Sequence, residues 1–137
     1  MLERADLILH GGDFSAASVL AELEGYGPVA AVYGNADEPA LKAILPKQRV
    51  VEVEGVRIGM VHIPGPRAGR DARLAARFPD CAAVIYGHTH VAELSQHDDV
   101  WILNPGSPTE RRGSRVRSML TLEIDGQTLR PRLHALP

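Results

Sequence analysis

Cysteine is almost missing from this 137-residue chain: Cys81 stands alone and can close no internal disulfide. That excludes a disulfide-stapled scaffold and suits a reducing cytosol, with Cys81 as a small buried apolar residue. Aromatic residues make up 4% of the sequence, and no apolar stretch approaches the ~18 residues that cross a bilayer as a helix. The first thirteen residues, MLERADLILHGGD, set acidic groups before a very short apolar run, unlike a secretory signal. An excess of positive charge is lacking too. The formal net charge is −2, so no broad basic field advertises nucleic acid or an anionic membrane. The arginines between 111 and 117 read as a solvated face. These absences leave a cytoplasmic protein, and 45% hydrophobic with 23% charged residues is the composition of a globular one. A chain of this length makes one domain, residues 1–137, with a core of its own.

What is present alternates between two periods. DLILH (6–10), VAAVY (29–33) and AAVIYG (82–87) are short buried strands by their unbroken apolar character. SAASVLAELE (15–24) places Val19, Leu20 and Leu23 on one helical face, with Ser15 as its cap and Gly25 as its stop. DEPALKAIL (37–45) and RDARLAARF (70–78) are further helices. Asp37 would cap the former. Three hairpins follow from turn chemistry: 49–62 around Glu54-Gly55, 91–104 around HDD, and the closing pair around Asp125-Gly126. Pro131 would put the last strand at a sheet edge. The order is βαβα and then mostly β, an α/β fold of packed sheets with helices outside.

Five of these strands run directly into a loop of glycine and ligand-type residues: HGGD, YGNAD, MVHIPG, YGHTH and LNPGS. Taken singly each is an ordinary turn, and a lone His62 is more often a core histidine than a ligand. His88 and His90, two apart, would leave an extended segment on the same side. Taken together, Asp13, Asn35, His62, His88 and His90 supply one carboxylate, one amide and three imidazoles at strand ends, where sites of α/β sheets form. A divalent cation takes such a set. A carboxylate can also bridge two cations roughly 3.5–4 Å apart, the spacing used for in-line attack on phosphorus.

The ordered motifs GD, GNxD, H, GHTH and NPGS resemble those of the calcineurin-like metallophosphoesterase superfamily, through nearly the whole chain. They are most similar to its small bacterial and archaeal phosphodiesterase branch, to which the retromer scaffold subunit is also related. The resemblance implies a two-sheet β-sandwich flanked by helices and a metal-dependent hydrolase acting on a phosphate ester. It also implies that Asp13 is the bridging ligand, that Asn35, His62 and His88 complete one metal, and that His90 serves the other. Asp13, Asn35 and His88 would form the catalytic set, and Asn35 with Arg111 or Arg112 would contact the phosphate. Manganese, zinc, iron, nickel and magnesium are all compatible with the donor set. Nucleotide diesters, cyclic nucleotides and phosphoprotein are all compatible with the rim.

One departure matters most. The family opens with a strand ending in Asp-x-His, and no Asp-x-His occurs here. One metal therefore keeps four ligands, whereas the other keeps Asp13 and His90. His10, His97, Asp98, Asp99 and His134 do not resemble the lost pair. Ala36 stands where larger relatives carry a histidine, and HIPG replaces a His-Gly-His loop. Two expectations follow: an impaired phosphodiesterase whose natural start lies upstream, or a short scaffold or binding module holding one metal or none. A truncated first strand would expose the edge of DLILH, so homo-oligomerisation by strand exchange is expected as well.

Overall fold

The computed structural model describes residues 2–14, 17–107 and 117–136. Ser15 and the pair Arg111 and Arg112, expected as a helix cap and as phosphate contacts, lie outside the described residues. After a single 3-10 turn at Leu2–Arg4 come β1 (Ile8–His10), α1 (Ala17–Glu24), β2 (Val29–Ala31) and α2 (Pro39–Ile44). They are followed by β3 (Gln48–Val53), β4 (Val56–Val61), α3 (Arg70–Arg77), β5 (Ala83–Tyr86), β6 (Glu93–His97), β7 (Val100–Asn104), β8 (Arg117–Asp125) and β9 (Thr128–Leu136).

The central layer is a mixed sheet in the order β3-β4-β5-β7-β6, in which β5 runs parallel to both neighbours. The hairpin expected at Glu54-Gly55 joins β3 to β4, and both turn residues have positive φ, 52° and 82°. That is the backbone of a tight hairpin whose twist matches its strands. Strand β5 is apolar on both faces because both are covered, as a buried parallel strand requires. Ala83 and Ile85 point to one side with Val56, Ile58, Met60 and Leu103, while Val84 and Tyr86 point to the other with Val61 and Ile102.

Helix α3 seals the second side through Leu74 and Phe78. Polar ties reinforce it: Ser95 Oγ lies 3.0 Å from Asp71 Oδ2, and the Arg70 guanidinium sits 5.4 Å from the centre of the Tyr86 ring. The Tyr86 hydroxyl donates to Glu93, and burial together with that bond pushes the phenol up to about 12.

The first side of the sheet carries two separate two-stranded pieces, the parallel pair β1-β2 and the antiparallel hairpin β8-β9. Leu9 and Val32 from the one and Leu120, Leu122, Ile124 and Leu129 from the other join the same apolar cluster on that side. The α/β sandwich is thus built as expected, but its second layer is split. A groove of about 870 Å³ runs between Ile8 and Leu9 on one bank and residues 119–124 on the other, with Ile58, Ile85 and Leu103 as its floor. Among the described residues neither β1 nor β8 has a second strand beside it. Pro131 sits in β9 opposite Leu122, in a strand with one neighbour, where its missing N–H costs no ladder bond.

Helices α1 and α2 close the outer face of β1-β2 through Leu20, Leu23 and Leu41 against Phe14, Val29 and Ala31. Two local expectations change here. Val19, placed on the buried face of α1 by periodicity, is 36% exposed. The residue that precedes α2 as its cap is Glu38, not Asp37, and its side chain makes no capping bond. Asp37 is buried and employed elsewhere.

Candidate metal centre

Four of the five ligand-type loops meet beyond the ends of β1, β2, β4 and β5. The β1 and β2 loops are joined by Asp37, whose Oδ2 accepts the main-chain N–H of Asp13 at 2.9 Å and of Gly34 at 2.7 Å. In return, Asp13 Oδ1 accepts the N–H of Ala36 at 2.9 Å. Gly34 is required by this closeness, since any Cβ there would collide with the Asp13 carboxylate and main chain. At Gly12, with φ 101°, a Cβ would lie 2.7 Å from His62 Nδ1. The two glycines let the loops pack against each other.

His62 leaves the end of β4 and is buried, 3% exposed. Its Nδ1 lies 2.7 Å from the Gly11 carbonyl oxygen, and the peptide N–H of Gly87 donates to its own carbonyl at 3.1 Å. The residue is therefore held from both neighbouring loops, its ring by the Gly11 carbonyl, and Nδ1 must carry a proton there because a carbonyl can only accept. Its Nε2 then faces Asn35 Oδ1 at 2.9 Å and Asp13 Oδ2 at 3.1 Å. His88, just past β5, brings Nδ1 to 3.1 Å from the same Asn35 oxygen, and its ring stands edge-on to His62 at 5.3 Å. One donor atom each from Asp13, His62 and His88 lies within 4.8 Å of the others.

That arrangement fits a cation. A neutral His62 with its proton on Nδ1 presents a lone pair at Nε2, and two oxygen acceptors converge on it. Turning the Asn35 amide round would satisfy the imidazoles but leave Asp13 Oδ2 against the same lone pair. A positive charge between them resolves the conflict, either a second proton or a metal ion. The fixed Nδ1–H···O=C bond is also the outer contact that orients a metal-binding imidazole.

His90 is placed differently. His88 and His90 have φ of 69° and 59°, so the segment is a pair of left-handed turns and not the extended run in which alternate side chains share a face. Among the described residues His90 is not part of the convergent group around His62. Asp13 also has positive φ, 64°, so three of the five expected ligands sit in a backbone conformation that costs energy and marks a functional constraint.

The GHTH loop is braced by Asn104, fully buried at the end of β7, whose Nδ2 donates to Thr89 Oγ1 at 2.9 Å and to the Gly87 carbonyl at 3.3 Å. His10, at the end of β1, stacks on Phe14 with centroids 3.6 Å apart and accepts the Gly12 N–H on Nδ1 at 3.0 Å. Burial, only partly offset by Asp37, lowers its imidazole to about 4, so it stays neutral. His97 and His134 lie elsewhere, beside Asp98 and Thr121 respectively. Sequence reasoning missed Asp37 as the clasp between loops. The signal was its place in GNAD, which a helix start explains equally well.

With this geometry the fold and the rim define an α/β sandwich with a candidate divalent-cation site at its strand ends. The model of the calcineurin-like phosphoesterase superfamily domain matches residues 1–127, and the chain belongs to that family. A probable metallophosphoesterase of Methanothermobacter thermautotrophicus is 36% identical over 126 residues, 90% of this chain and 72% of that protein. A second probable metallophosphoesterase, from Methanocaldococcus jannaschii, is 33% identical over 123 residues, and the match covers 88% of this chain but 62% of that protein. The solved structure of an archaeal phosphodiesterase superposes with a TM-score of 0.72 at 25% identity, covering 96% of this chain and 85% of the other.

Proposed function

We propose that this chain is a metal-dependent phosphoesterase of the phosphodiesterase type, with Asp13, Asn35, His62 and His88 holding one divalent cation. The observation that carries the reading is His62 Nε2, set 2.9 Å from Asn35 Oδ1 and 3.1 Å from Asp13 Oδ2 while its Nδ1 is committed to the Gly11 carbonyl. The bound cation would supply Lewis acidity toward a phosphoryl oxygen and toward water at neutral pH. The chain's own residues do the rest. Asp37 fixes the Asp13 and Asn35 loops at one separation, the Gly11 carbonyl holds His62 in one tautomer, and Asn104 holds the His88 loop. Family membership and the archaeal phosphodiesterase support the reaction class. Arg111 and Arg112 remain proposed phosphate contacts, and the single buried Cys81 agrees with a cytosolic setting. No helix among the described residues is long and apolar enough to cross a membrane.

A second cation would have Asp13 and His90 as its ligands from the family set, too few for tight binding. We therefore expect weak or absent hydrolysis of bis-p-nitrophenyl phosphate with manganese by the 137-residue chain. Whatever turnover there is should vanish in His88→Ala. Robust hydrolysis with manganese would show that the residues present suffice, and turnover that survives His88→Ala would remove the centre from the reaction.

The open edges of β1 and β8 support one further element of the proposal, a homo-oligomer in which a strand of a second copy pairs in the groove. Light scattering should then give at least a dimer mass, and a monomer at micromolar concentration would rule the exchange out.

A further inference from the structure

A cavity of about 470 Å³ adjoins the candidate metal centre and shares Asn35 and His62 with it. Four cationic side chains line it: Lys42 of α2, Lys47 just beyond, and Arg73 and Arg77 of α3. No carboxylate is among its lining residues, although the chain as a whole carries a formal charge of −2. Val61, Ile63 and Pro64 give it an apolar wall, and Tyr33 adds an aromatic one.

The positive charges are placed, not merely exposed. Lys42 Nζ donates to the Asn35 carbonyl at 3.3 Å, which ties its charge to the ligand loop itself. Arg73 Nη2 donates to the carbonyls of Pro64 at 3.0 Å and Pro66 at 2.6 Å, so the loop after His62 is wrapped round its guanidinium. Arg77 Nε donates to Gln48 Oε1 at 2.7 Å, an anchor that uses one of its five donors. Arg73 and Arg77 stand four residues apart on α3, where like charges repel along one helix face. An anion held in the cavity would offset that repulsion.

We propose that this cavity is a second anion subsite, which receives a phosphate carried on one arm of the substrate. The substrate class is then a phosphodiester with a further phosphate on a nucleoside-like arm, its apolar body lying along Val61, Ile63 and Tyr33. This rests on the phosphoesterase reading, because the arm's position matters only if the scissile phosphate sits at the shared Asn35 and His62. Charged pairing at such exposed side chains raises affinity and weakens as salt is added.

The test compares thymidine 3′,5′-bisphosphate with thymidine 5′-monophosphate by calorimetric titration of the full chain at low salt, first with chelator and then with manganese. The bisphosphate should bind about tenfold more tightly in both conditions, as expected for a charge-assisted contact. Raising the salt should shrink that preference. The double variant Lys47→Ala/Arg77→Ala should bind the two ligands within about twofold of each other. Its charge-conserving counterpart Lys47→Arg/Arg77→Lys should keep the preference. Equal binding by the unmodified chain, or a preference that survives the double alanine variant, overturns the subsite. Manganese titration of the same proteins separates the two ideas. Intact manganese binding with no bisphosphate preference sinks the subsite alone, whereas absent manganese binding to the unmodified chain sinks the phosphoesterase reading.

Discussion

The rim beyond the end of β1 and the groove along the edge of that same short strand are finished to very different degrees. On the rim every loop is held by another: Asp37 bonds two of them, the Gly11 carbonyl fixes His62, and Asn104 fixes the turn that carries His88. In the groove, apolar side chains from β1, β8 and the central sheet face a space of about 870 Å³, and two strand edges have one partner each. The difference shows what holds a site together. The ligand geometry depends on hydrogen bonds between loops that follow different strands, not on completion of the second layer beneath them.

If that separation is right, the largest effect will come from the clasp. Asp37→Ala leaves the N–H groups of Asp13 and Gly34 without their buried acceptor and should cost about 3 kcal/mol of stability, as lost charge-assisted bonds do. It should also weaken manganese binding by about a hundredfold, the scale seen when groups that orient ligands are lost. Unfolding curves and a metal titration on one preparation check both, and normal manganese affinity would show that the loops hold their positions without it.

The groove floor should respond differently. Ile58→Ala removes a side chain that is 1% exposed and should cost about 2–3 kcal/mol, toward the lower end of large-to-small core changes because open space already adjoins it. Manganese affinity should be unchanged. A loss of metal binding in parallel with stability would mean that rim and groove are one cooperative unit after all.

The last effect is electrostatic and is absent at neutral pH. The imidazole of His10 titrates near 6.5 in an unfolded chain but is lowered to about 4 in the fold, chiefly by burial. The unfolded chain therefore binds a proton more readily between those values, and stability should be full above pH 6.5 and decline as the pH falls toward 4. In metal-free protein His10→Asn should flatten this part of the profile, and an identical slope would assign it to other groups.

Much of the fold was legible because it is written in local chemistry. Glu54-Gly55 and Asp125-Gly126 announced their hairpins, and the apolar run at 83–86 announced a strand covered on both sides. The failures are cases in which one residue type serves two purposes. Asp37 looks like a helix cap, since an acidic residue before Pro39 is what a helix start prefers, yet its oxygen is spent on two loops brought together by tertiary structure. His88 and His90 looked like neighbours on one face, because alternate residues share a face only where the chain is extended, and here it coils left-handed. Four metal candidates converge around His62, with Asn35 reached from two imidazoles at once, and no spacing in the sequence could give those distances. The split second layer was foreshadowed only in part, by the edge expected along DLILH.

The claim on which the rest depends is that one cation sits at Asp13, Asn35, His62 and His88. Manganese titration of the unmodified chain, followed by electron paramagnetic resonance or calorimetry, tests it most directly. A single site per chain is predicted, lost in His62→Ala and His88→Ala and retained in His90→Ala. Absence of binding, or binding that disappears with His90 while surviving the loss of His88, would contradict it.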